Sequence, residues 1–234
     1  MDTTPDPTDD PGEAESRLTM PLAEAMRTQR AVRRVRAAPV DDRIVRRCVE
    51  LALEAPTGAN GQNWEFVVVK DPAVKASLAA QYRRAWRLYN RLGRRPTADG
   101  QALRIRQSVQ WQVEHFEQIP VLVVCCLRGG VRVPFLPEPP VARSSHYGSI
   151  YPSVQNLLLA ARAVGLGAAL ITLPLWSNTL ARRALGLPLN IEPCCIVTLG
   201  WPTGHYGRKD RKPVDTVLHL DRYGHQPWRD GPPV

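Results

Sequence analysis

The chain of 234 residues lacks most of the signatures that announce a chemistry. Its five cysteines, Cys48, Cys125, Cys126, Cys194 and Cys195, form no CxxC pair and no metal-ligand spacing. Its five histidines, His115, His146, His205, His219 and His225, are scattered, and no HExxH occurs. No metal site is expected. There is no GxSxG elbow and no Walker-type phosphate loop. The one "GLG", residues 165–167, follows a helical pattern and reads as a helix C-cap, not a dinucleotide fingerprint. With no obvious nucleophile or base, no catalytic side chain is assigned. An enzyme built on this chain needs a cofactor to carry the chemistry.

Long hydrophobic runs are also missing. The first residues are acidic and contain no apolar h-region, so a secretory signal is not expected. The most apolar stretch, residues 156–176, is interrupted by Arg162 and by glycines, which predicts a buried helix followed by a buried strand, not a membrane span. "VLVVCCL" and "CCIVTLG" read as buried strands in a reducing compartment, so a cytoplasmic location is expected. Neighbours on a strand point to opposite faces, so each cysteine pair should divide between faces. No internal repeat and no regular βαβ alternation are found, which argues for α+β with helices around a sheet. Aromatic residues do not interleave with basic ones in an RNA-binding pattern, and no helix-turn-helix stands out, so no nucleic-acid partner is expected.

What the chain does have is positive charge, unevenly placed. Residues 1–17 hold six acids and one arginine and are poor in apolar residues, which reads as a disordered acidic tail. The rest, 18–234, carries 30 basic and 16 acidic residues, a net +14. A basic body favours anionic partners such as phosphates, although arginine on solvated faces explains most of it. No domain boundary is visible inside 18–234.

Helices are predicted near 20–30, over 41–55, in two stretches of 72–118, through 147–167 and near 177–186. In the second, Asp41 can cap, while Ile44, Val45, Cys48, Leu51, Ala52 and Ala55 form one apolar face. Strands are predicted at "WEFVVVK", "IPVLVVCCL", after the 147–167 helix, and at "CCIVTLGW". The proline-rich residues 128–143 read as a surface loop, and the tail after 204 as a basic loop ending in an extended arm.

Three features invite a ligand. "RAVRR" (30–34) groups cations before a proline stop. "PTGANGQ" (56–62) is a loop whose backbone donors and short side chains admit a flat polar molecule closely. "KDRKP" (209–213) alternates Lys209 and Arg211, so both can point one way. Two basic clusters and an amide-rich loop suit a molecule with a phosphate at one end and a heterocycle at the other.

In this order, "QRAVRR", "APTGANGQNWEFVVV", "VQNLLLAARAVGLGAALIT" and "LGWP…RKDRKPVDTV" resemble the nitroreductase family of FMN-dependent oxidoreductases, over about residues 20–223. The resemblance implies an α+β flavoprotein whose mainly antiparallel sheet is surrounded by helices, assembled as an interlocked homodimer with FMN at the interface. It implies NAD(P)H as electron donor and a nitroaromatic, quinone or similar small-molecule acceptor. Carried over by position, Arg30, Ala31, Val32, Arg33 and Arg34 would form the cofactor-binding arginine segment, with Arg33 near the flavin pyrimidine. Pro56, Thr57, Gly58 and Asn60 would reach the partner's flavin, Leu170, Ile171 and Thr172 would lie beside its N5, and Lys209 and Arg211 would bind phosphate. Trp86, Tyr89 and Trp111, in an aromatic insert over 82–116, would form either a substrate lid or ordinary packing. Gln29 and Ala31 stand where the family commonly has arginine and serine, and Asn63 where it has proline. Alternatives are a specialised member, either a dehalogenase or a 5,6-dimethylbenzimidazole synthase-like protein, or a non-catalytic flavin-binding protein. The synthase usually has aspartate at the position of Ala31.

Overall fold

The computed structural model describes residues 11–92, 100–129, 140–205 and 207–229. Four antiparallel strands form its sheet: β1 (Trp64–Val69), β2 (Val121–Arg128), β3 (Gly167–Ile171) and β4 (Ile191–Gly200), in the order β1-β2-β4-β3. The helices are α1 (Pro11–Ser16), α2 (Leu22–Thr28), α3 (Asp42–Ala52), α4 (Pro72–Leu92), α5 (Gly100–Glu114), α6 (Pro140–Gly148), α7 (Tyr151–Ala163) and α8 (Asn178–Leu185). This is the α+β architecture that the sequence pattern predicts.

Local chemistry sets the helix limits. The Asp41 carboxylate accepts from the Arg43 backbone N–H at 2.7 Å and caps α3. The Arg43 side chain, which also donates to this carboxylate, and then the backbone bond hold the Asp41 carboxyl below the usual carboxylate range. Gly165, at φ +92°, follows α7 in the left-handed region, as the C-cap reading of "GLG" requires. The single helix predicted over 147–167 is instead two, α6 and α7. Pro152 explains the break: it has no N–H to give to Gly148, and its ring would crowd that carbonyl.

The sheet separates two apolar clusters. Val121, Val123, Cys125 and Leu127 of β2 face α3 and α7, while Leu122, Val124 and Cys126 face α4. Cys125 and Cys126 therefore divide between faces, as strand periodicity dictates. The second pair does not. Cys125 is opposite Cys195 but Cys126 is opposite Pro193, so Cys194 is the extra residue of a bulge. Cys194 packs on the same cluster as Cys195 because the bulge cancels one alternation. All five thiols are unbridged.

Residues 11–16, read from composition as part of a tail, are helical, and Ala14 lies in the α3–α7 cluster. Arg17 pairs with Glu13, and Arg47 with Glu15. Residues 207–229 pair with no strand and hold only a short 3-10 turn, Val214–Thr216. The loop predicted over 128–143 falls mostly outside the described residues. Among the described residues no helix is long and apolar enough to cross a membrane, and no His, Cys, Asp and Glu grouping suits a metal.

Candidate functional site

The arginine segment lies along the free edge of β3. Ala31 bridges Ala168 in parallel, Val32 N–H donates to the Ala168 carbonyl at 2.9 Å, and Val35 bridges Pro202. Two glycines allow this approach. A Cβ on Gly167 would fall 2.6 Å from Val32 Cγ1, and one on Gly200 would fall 2.9 Å from Val35. Val32 and Val35 are buried, while between them Arg33 is half-buried and Arg34 exposed. The sequence reading assigned "GLG" to capping alone; the tight Gly167–Val32 contact was not legible without the pairing.

Cations from distant parts of the chain converge at this edge. Lys209 Nζ donates to the Met26 carbonyl at 3.1 Å. Desolvation first, then the nearby charges of Arg211 and Arg30, push the Lys209 ammonium below its usual range. Arg30, Lys209 and Arg211, named from two separate motifs, are therefore electrostatic neighbours. Three cations brought together this way suit a phosphate. A cavity of about 640 Å³ continues from Arg30 past Arg36, Arg162 and Arg208 to the backbone of Gly165–Ala168. Those three further arginines carried no sequence signal beyond general basicity.

Arg33 is different from its neighbours. Its Nε is buried without a hydrogen-bond partner, and desolvation lowers its pKa while Tyr82 acts in the opposite direction. A buried donor with no acceptor is unusual and points to a missing electron-rich group. Tyr82 is itself held by a chain of side-chain bonds, through Gln112 and Thr198 to the Ala169 carbonyl. Burial pushes the Tyr82 hydroxyl up to about 12, so it stays neutral beside Arg33. Ile171 shares the Tyr82 cluster with Val32; Leu170 is half-buried and Thr172 exposed just past β3. The structure thus gathers Arg30, Ala31, Val32, Arg33, Leu170, Ile171, Thr172, Lys209 and Arg211 about one edge. A buried unpartnered guanidinium nitrogen and a group of cations at that edge suit a molecule with a phosphate and an electron-rich ring, as FMN has.

The loop 56–62 is elsewhere. It leads into β1, at the opposite edge of the sheet from β3, three strand spacings or roughly 14 Å away. It packs on the α6–α7 turn: Gly58 N–H donates to Ser149 Oγ at 3.4 Å, and the Trp64 indole to the Ser149 carbonyl at 2.7 Å. Pro56, Gly58 and Asn60 are exposed and Thr57 is half-buried. Ala59, Asn60 and Gln62 all have positive φ, 51°, 53° and 44°. Non-glycine residues avoid that region, so three together mark a loop held in shape against its preference. Thr57 Oγ1 accepts from Gln62 N–H and closes it.

The aromatic insert is α4 and α5. Trp86 is buried and stacks on exposed Tyr89 at 5.7 Å, and its indole donates to Gln110. Trp111 stacks on His115 at 4.2 Å, and the Arg34 guanidinium sits 5.9 Å from the Trp111 ring centre. Arg34 therefore turns toward α5 while Arg33 turns toward Tyr82.

Comparison with known proteins identifies the family. Residues 26–201 match the Nitroreductase family. A protein of Thermus thermophilus named NADH dehydrogenase is 26% identical over 229 residues, covering 86% of this chain and 97% of that protein. Iodotyrosine deiodinase 1 of Rattus norvegicus is 25% identical over 206 residues, covering 83% of this chain and 67% of that one. Two solved structures share the fold. Iodotyrosine deiodinase bound to FMN and 3-iodo-L-tyrosine has a TM-score of 0.65 at 21% identity, over 87% of this chain and 98% of that one. A BluB-like flavoprotein from Clostridium difficile 630 has a TM-score of 0.65 at 20% identity, over 87% of this chain and 100% of that one. The match spans three-quarters of the chain and includes the arginine segment, β3 and β4: this protein belongs to the nitroreductase family.

Proposed function

We propose that this is an FMN-dependent oxidoreductase that uses NAD(P)H to reduce a nitroaromatic, quinone or similar acceptor. The observation that carries it is the segment along the β3 edge, where Arg33 keeps a buried unpartnered Nε and Arg30, two residues before Val32, is an electrostatic neighbour of Lys209. Arg30, Lys209 and Arg211 would hold the phosphate; Arg33 would hold the pyrimidine end, where a cation favours added negative charge. FMN would supply the two-electron carrier between donor and acceptor. The chain supplies orientation, positive charge and a wall of α4 and α5 that limits what enters. Solvent would supply protons.

The flavin-binding domain of residues 18–234, with α1 packed onto it through Ala14, would act in the cytoplasm as a homodimer. A second copy would bring its 56–62 loop to the β3 edge, because one chain holds the two at opposite sides of its sheet. Exposed Val214, Val217, Leu218 and Leu220 of the tail would be covered in the same step. Trp86, Tyr89 and Trp111 would belong to the lid over the acceptor.

The visible spectrum of the purified protein, followed by anaerobic NADPH and then NADH, tests the reading. A bound flavin bleached by either donor is expected. A protein that stays colourless in excess FMN overturns it. A flavin bleached by neither donor would turn the assignment toward dehalogenation, flavin fragmentation or flavin storage.

A further inference from the structure

One face of α5 is largely exposed and, among the described residues, meets only the end of α4 and the arginine segment. Leu103, Arg106, Gln107, Gln110, Trp111 and Glu114 recur at helical three- and four-residue spacing and line a second, open cavity of about 400 Å³, with Arg34 and Asn90. The residues that pack α5 inward, Gln112 and Val113, lie on the other face. A polar helix face carrying one tryptophan and turned onto an arginine of the cofactor segment is not what packing alone produces.

The groups in this cavity are held in place. Arg106 Nη2 donates to Asn90 Oδ1 at 3.1 Å, which ties α5 to the end of α4. Gln110 accepts from the Trp86 indole and donates to Glu114 at 2.6 Å, so the one carboxylate in the cavity is already engaged. The stack on His115 fixes the Trp111 plane, and Arg34 sits over the ring. The result is two guanidinium groups beside an immobilised aromatic plane, with a net positive charge. Guanidinium groups match carboxylates in geometry, and a flat ring prefers a flat partner. The volume lies in the range of small-ligand pockets.

We propose that this cavity is the acceptor subsite and that it selects planar aromatic acids, with the ring against Trp111 and the carboxylate between Arg34 and Arg106. The proposal rests on the oxidoreductase reading and narrows its substrate class. It also gives Arg34 a role distinct from Arg33: Arg33 serves the cofactor, and Arg34 the acceptor. The reaction balances with the donor already named: the nicotinamide hydride and one proton take a nitro group to nitroso and water, and the carboxylate serves only as a handle.

The test compares 4-nitrobenzoate, neutral 4-nitrobenzyl alcohol and cationic 4-nitrobenzyltrimethylammonium with the FMN-loaded protein. The wild type should have the lowest KM for the acid. Arg106→Gln should shrink the acid-to-alcohol preference roughly three- to tenfold, the range of a partly exposed charge-assisted contact. Arg106→Glu should reverse the order in favour of the cation. Quenching of tryptophan fluorescence by the same three compounds, with and without FMN, reads binding apart from turnover. Equal affinity for acid and alcohol in the wild type, or a preference that Arg106→Glu leaves unmoved, overturns the proposal. Preferential quenching by the acid in a protein that reduces nothing would retain the subsite and sink the oxidoreductase reading instead.

Discussion

Replacing Gly167 by alanine tests how the cofactor edge is built. The new Cβ would lie 2.6 Å from Val32 Cγ1, 3.1 Å from Val32 Cβ and 3.3 Å from Val35 Cγ1. Carbon atoms rest at about 3.5–4.0 Å, so Val32 must retreat by roughly 1 Å. Gly167 does not have a positive φ, so the backbone accepts alanine and the effect is steric. Overpacking of this kind costs about 1–3 kcal/mol. Val32 cannot retreat alone, because its N–H is bonded to Ala168 and Arg30 and Arg33 are its near neighbours. The arginines should therefore move off their positions, and FMN affinity should fall about tenfold, or roughly 1.4 kcal/mol. Urea denaturation and fluorescence titration with FMN read the two losses. Adding Val32→Ala removes the clashing methyl and should restore at least half of both, a coupling of about 1–2 kcal/mol. Gly148→Ala, where a Cβ meets nothing within 4 Å, is the control. Wild-type stability and FMN affinity in Gly167→Ala, or no recovery in the double variant, would refute the reasoning.

Three further outcomes are expected. Ala59→Gly relieves a left-handed alanine at φ 51° and should raise stability by about 0.5–1 kcal/mol in thermal denaturation, the glycine entropy offsetting part of the gain. Trp64→Phe leaves the Ser149 carbonyl without its 2.7 Å donor and should lower stability by about 1–3 kcal/mol, measured by the urea midpoint. Burial pushes the Cys48 and Cys126 thiols up to about 12, above their unfolded value near 8.5. Their contribution is complete below that unfolded value and is lost as pH rises toward 12, by at most roughly 1.4 kcal/mol per pH unit for each thiol. Urea midpoints from pH 8 to 10 should therefore fall, and Cys48→Ala should flatten the slope; an unchanged slope would contradict the assignment.

Local chemistry was enough for most elements. The spacing of Ile44, Val45, Cys48 and Ala52, with Asp41 ahead of them, determined α3 before any contact was known. The apolar runs determined β2 and β4, and the ordered motifs determined the family. These signals act within a few residues, through hydrogen-bonding geometry and side-chain periodicity. The departures came where distant partners decide. The bulge at Cys194 depends on how β2 and β4 pair, so no strand read alone could reveal that Cys194 and Cys195 share a face. Ala14 belongs to the core because α3 and α7 leave room for it, although its flanking residues are those of a solvated tail.

The site divides in the same way. "RAVRR" and "KDRKP" announced cations, but not that Lys209 would come within electrostatic reach of Arg30, since about three-quarters of the chain separates them. The tertiary structure alone decided that Arg33 turns inward to Tyr82 and Arg34 outward to Trp111, because adjacent side chains with the same chemistry take their roles from what packs beside them.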